Sequence, residues 1–92
     1  MSEYLKIEAT PTGDPNVMVF HTNFRLAEEE VEHYLSTQEM EEGSAVAQVL
    51  APIEGIKYIR IEASTLEVTK YDDIPWHTIA ADINATLKEF FL

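Results

Sequence analysis

The residues Trp76, Ile79, Ala80, Ile83, Leu87 and Phe90 recur at helical spacing without interruption near the end of this 92-residue chain. They predict one amphipathic helix with a continuous apolar stripe, which must lie against another apolar surface. Pro75 suits a first helical turn, and Asp72 and Asp73 just before it complement the positive end of the helix.

The surface for that stripe is predicted just upstream. Ile56 to Glu62 and Thr65 to Lys70 read as two strands joined by a short turn near Ala63-Ser64, a hairpin. In the second strand Leu66 and Val68 share one face, while Thr65, Glu67 and Thr69 share the other. Tyr4 to Ala9 alternates, with Leu5, Ile7 and Ala9 on one face, and predicts another strand. Thr10 to Asn16 carries dense turn chemistry and predicts a loop. Val17 to Phe20 is apolar on both faces, as in a well-covered inner strand.

Between Phe24 and Met40 two patterns compete. Leu26, Glu30, Val31, Tyr34 and Leu35 fit a helical stripe, whereas Val31 to Thr37 suits a short edge strand. An earlier helix is well marked: Ser44 caps it, and Val46, Val49, Leu50 and Ile53 fall at i, i+3, i+4 and i+7. Gly55 suits its left-handed C-terminal cap, and Pro52 predicts a kink or a tightened turn inside it.

Charge sets limits on function. The net charge is −11, from 17 acidic and 6 basic residues, a field that repels phosphate backbones and permits a basic protein partner. Glutamates 28, 29, 30, 32, 39, 41 and 42 fall between Leu26 and Glu42 with no Lys or Arg among them. Such a block is most simply a solvated segment. Read as a docking surface, it makes Glu28, Glu29, Glu30 and Glu32 the candidate partner-binding residues. No apolar run approaches the ~20 residues that span a bilayer, and the first residues lack a basic, apolar leader, so a cytoplasmic location is expected.

Chemistry finds little purchase. Zero cysteines exclude disulfides, thiol nucleophiles and Cys-based zinc sites together. The chain has no G-x-S-x-G elbow, no glycine-rich phosphate loop and no H-E-x-x-H pair, so no catalytic residues are assigned and an enzyme is not expected. His21 and His33, with nearby carboxylates, are the weak candidates for a metal site, and His77 flanks the apolar stripe. A small iron- or metal-binding protein is the alternative they leave open.

Four blocks, in order, resemble the N-terminal domain of the Nfu/NifU-type scaffold proteins. Thr10-Pro11 and Pro15-Asn16 match the family's T-P-N-P-N turn, with Thr12-Gly13-Asp14 in place of its single Asn. Val19-Phe20 stands where Lys-Phe is usual. Ser44, Ala47, Leu50, Ile53, Gly55 and Ile56 fit S-P-L-A-x-x-L-F-x-I-x-G-V, with Ala45, Val46 and Ala51 in place of Pro, Leu and Phe. Leu66 to Lys70 matches F-I-T-V-T-K, and Pro75 to Ile79 matches D-W-x-x-L/I. The resemblance favours a strand near 31–36.

It implies one domain over 1–92 with an α+β fold. The expected form is a two-layer sandwich of a mostly antiparallel sheet with two helices on one face, in the order β-β-(β)-α-β-β-α. It further implies a non-catalytic interaction module, accessory to iron–sulfur cluster assembly and connected with iron. In that family a C-x-x-C motif in a separate C-terminal domain holds the cluster, and the 92 residues contain none. The expectation is therefore a stand-alone copy with no cofactor bound directly, meeting an iron–sulfur cluster only through a partner protein. No nucleic acid or membrane partner is expected, and the chain is expected to be a monomer or weak dimer.

Overall fold

The computed structural model describes residues 4–27 and 31–92. Strands β1 (Ile7–Pro11), β2 (Val17–Thr22) and β3 (Glu32–Tyr34) precede helices α1 (Thr37–Glu41) and α2 (Ala45–Leu50). Strands β4 (Ile56–Glu62) and β5 (Thr65–Lys70) and helix α3 (Trp76–Phe91) follow. The strands form one antiparallel sheet in the order β1-β2-β5-β4-β3. The α+β class is as expected.

The β4–β5 hairpin turns at Ala63, whose φ of 52 is left-handed. Its inward faces supply Ile59, Ile61, Leu66 and Val68, all essentially buried. Across β5 the register sets Phe20 of β2 beside Leu66, and Phe20 is equally buried. The α3 stripe closes over this layer through Ile79, Ile83 and Leu87, each fully buried. The two layers thus meet where the two periodicities predict. β2 is an inner strand, also as expected.

Several boundaries differ. The first strand begins at Ile7 and runs through Thr10 and Pro11, which were expected in a loop. Leu5 is buried but lies ahead of the strand, and Ala9 is exposed. β1 is one of the sheet's two edge strands. The ambiguous segment resolves into the three-residue edge strand β3, followed by a helix that was not expected. Ser36 caps α1 by accepting from the Glu39 N–H at 3.1 Å, and fully buried Met40 anchors it. Among the described residues the sheet therefore carries three helices rather than two.

Helix α2 starts as predicted, with the Ser44 hydroxyl accepting from the Ala47 N–H. It ends at Leu50, short of the predicted Ile53. Ala51 keeps helical dihedrals, but Pro52 has no N–H to continue the ladder, and Ile53 N–H bonds back only three residues to Leu50. Ile53 is still buried, so the stripe persists beyond the helix. Gly55, with φ +99, belongs to the turn entering β4 instead of capping α2. At the other end of the chain, Phe90 is 39% exposed and its neighbour Phe91 packs instead, stacked on Phe24 with centroids 4.8 Å apart. Pro75 is the N-cap of α3, one position before its first helical residue.

Candidate docking face

With the helices on one side, the alternation of each strand sends the remaining side chains to the other. The register lines them up in rows: His33 beside Arg60, Arg60 beside Glu67 and Glu67 beside Val19. Tyr58 stands beside Thr69, and Thr69 beside Val17. His21 stands between Thr65 and Glu8. This is the open face of the sheet.

A cleft of about 350 Å³ lies on it, lined by His33, Leu35, Tyr58, Ile59, Arg60, Glu67 and Thr69. Its walls are apolar or aromatic at Leu35 and Tyr58, and polar at Arg60, Glu67 and Thr69. The Arg60 guanidinium reaches the Glu62 carboxylate at 3.6 Å. At the end of β4 the Lys57 ammonium sits 5.8 Å from the Tyr58 ring centre and 5.9 Å from that of Tyr71. A second, shallower hollow of about 150 Å³ is lined by Lys6, Glu8, His21, Thr22 and Asn23, with Lys6 and Glu8 paired at 3.3 Å.

The two candidate metal ligands are exposed on this face but are not brought together. His21 is on β2 and His33 on β3, with β5 and β4 between them, so their strands lie about 14 Å apart. His77 is on the helix layer. Among the described residues no group of three or more His, Cys, Asp or Glu could hold a metal.

Of the acidic candidates, Glu28, Glu29 and Glu30 lie outside the described residues. Glu32 is half-buried and engaged within the fold. Its Oε1 accepts from the Tyr34 hydroxyl at 2.7 Å and from the Ser44 hydroxyl at 2.6 Å, while Tyr34 Oη accepts from the Ser44 N–H at 3.0 Å. One carboxylate thereby ties the edge strand to the cap of α2. The cleft residues were missed as a group. The only signal for them was the non-core side of the β4 and β5 alternation.

The opposite end of the sheet is locked to α3. Trp76 Nε1 donates to the Pro15 carbonyl at 2.8 Å, Lys70 N–H donates to the Asn16 carbonyl at 2.8 Å, and the Asn16 amide donates to Asp72. The turn block and the Pro75-Trp76 block, far apart in sequence, are one contact in space.

Residues 6–92 match the profile of the family described as "Scaffold protein Nfu/NifU N terminal". The chain belongs to this family. The range matched by the Nfu N-terminal family includes both blocks that the lock joins. Among solved structures, the NifU-like protein of Saccharomyces cerevisiae is similar with a TM-score of 0.78 and 18% identity, covering 97% of this chain and 82% of that one. Protein SAV1430 of Staphylococcus aureus is similar with a TM-score of 0.73 and 20% identity, covering 89% of this chain and 98% of that one. A Staphylococcus epidermidis protein reaches a TM-score of 0.58 at 22% identity, covering 92% and 98%. At such identities the likeness is one of fold. No curated protein matches significantly. Among the described residues no helix is long and apolar enough to cross a membrane.

Proposed function

We propose that residues 1–92 form one Nfu N-terminal-like domain that acts as a non-catalytic protein-interaction module in iron–sulfur cluster assembly. It holds no cluster itself and meets one only through a partner. The observation that carries this reading is membership of a scaffold family in a chain of zero cysteines. Iron–sulfur clusters need soft thiolate ligands, with imidazole substituting only in part. Three histidines on separate elements offer no such set, and the hard carboxylates around them suit hydrated cations instead.

What remains is contact. Among the described residues one sheet face is left uncovered, and the acidic balance attracts basic proteins at long range. Affinity capture from native lysate tests the reading. Cluster-assembly proteins should be recovered with the tagged chain and not with an unrelated acidic domain. Equal recovery by both would remove it. Iron titration followed by calorimetry tests the alternative, and stoichiometric binding would promote it.

A further inference from the structure

We infer that the open face of the sheet docks a basic protein through a charge-balanced, partly aromatic centre built on Tyr58 and Leu35. This rests on the reading of the chain as an interaction module and adds to it a surface and a partner chemistry.

The charges of the face carry the argument. Among the described residues its strands and their margins present Lys6, Lys57 and Arg60 against Glu8, Glu62 and Glu67. Half of the chain's 6 basic residues thus gather on one face and balance it, although the whole chain stands at −11. Among the described residues the surplus negative charge lies on the rest of the surface. Tyr and Arg, both present at the cleft, are enriched at the centres of protein interfaces.

The apolar groups are in place as well. Leu35 is 68% exposed, Tyr71 52% and Tyr58 37%, at or beside a cleft able to seat one side chain. The Lys57 ammonium lies over both tyrosine rings, so they are partly ordered before any partner arrives.

Size and net charge choose the occupant. Five strands at ~4.8 Å by about five residues give roughly 400 Å², half of the ~800 Å² that each side of a stable interface buries. Contact on this face alone is therefore weak. A second copy would add repulsion between two bodies of −11, whereas a basic partner is drawn in by the same field. The occupant is accordingly a basic protein that presents an apolar or aromatic side chain to the cleft and binds transiently.

Three capped octapeptides serve as probes, of alternating lysine and leucine, lysine and serine, and glutamate and leucine. Each is titrated into isotope-labelled protein while backbone amides are followed by NMR. The lysine–leucine peptide should shift the amides of Tyr58, Arg60, Glu67 and Thr69 and bind at least fivefold more tightly than lysine–serine. Tyr58→Ser and Leu35→Ser should each reduce that affinity fivefold or more, and both side chains face solvent, so one folded variant suffices. Equal binding of the two lysine peptides, shifts gathered on Glu39 to Glu42, or preference for glutamate–leucine would overturn the inference. Concentration-dependent dimerisation abolished by Tyr58→Ser would give the face to a second copy instead. If lysate capture recovers cluster-assembly proteins equally with wild type and Tyr58→Ser, the module reading stands and this face is removed from it.

Discussion

The Trp76 indole N–H donates to the Pro15 carbonyl at 2.8 Å across a separation of 61 residues. The same ring lies 6.1 Å from Phe20, centre to centre, and 5.8 Å from the Lys70 ammonium. One side chain therefore joins the turn before β2, the core of the sheet and the first residue of α3. Trp76→Phe keeps most of the apolar contact and removes the donor, which should cost about 1 kcal/mol in urea unfolding. Leu87→Ala empties a fully buried site and should cost about 2–5 kcal/mol. If Leu87→Ala melts with wild type, α3 does not hold the layers together.

Pro52 is exposed and stands past the last residue of α2, where an N–H could at most add one solvent-exposed bond to the end of the ladder. Its remaining effect is to stiffen the unfolded chain. Pro52→Ala should lower stability by about 0.4–1 kcal/mol, opposite in sign to the gain expected of a proline inside a helix. A rise in the melting midpoint would place the residue back in the helix.

Gly55 combines a φ of +99 with a crowded site, where an added Cβ would lie 2.8 Å from Ile74 Cγ2 and 3.0 Å from Ile79 Cδ1. Gly55→Ala meets both backbone strain and the core, and a loss of about 1–3 kcal/mol is expected. Gly13, whose Cβ would meet nothing within 4 Å, is the control. Equal effects at the two positions would refute the packing argument.

Glu32 separates a structural from a docking role. Glu32→Ala leaves the Tyr34 and Ser44 hydroxyls without their shared acceptor and should cost about 1–3 kcal/mol. Glu32→Gln retains an acceptor oxygen and should cost less than Glu32→Ala. A partner affinity that falls with the Gln variant while its stability holds would restore Glu32 to the docking surface.

Anaerobic incubation with iron and sulfide, followed by desalting, should leave the protein colourless. A stoichiometric, sulfide-dependent visible absorption band would require cluster ligation without cysteine and would overturn the partner-mediated reading.

Much of the fold was legible because it is written in periodicity. The β4–β5 hairpin, the cap at Ser44 and the stripe through Ile79, Ile83 and Leu87 each follow from local pattern alone. Helix α1 was not legible: five residues are too few to show a period, and its stability comes from burying Met40. Phe90 and Phe91 are adjacent, and the choice between them depends on Phe24 in another part of the chain. The docking face was visible only as what the core left over. Alternation told which side of Thr65, Glu67 and Thr69 was not inside, but the row from His33 to Val19 exists only once the strand order is known. Glu32 looked like one more exposed acid because its partner Ser44 lies 12 residues away.

The strand order also constrains how the chain finds its fold. The two middle strands β4 and β5 form a local hairpin, needing only a short loop to close. β2 must then reach β5 from about fifty residues upstream, as in the pairing of Val17 with Thr69. That closure is the entropically demanding step, and the pairing of β1 depends on it, because among the described residues β1 pairs with β2 alone. Substitutions in the hairpin should slow refolding, while substitutions in β1 should chiefly hasten unfolding, a division that stopped-flow kinetics on Val68→Ala and Ile7→Ala would read directly.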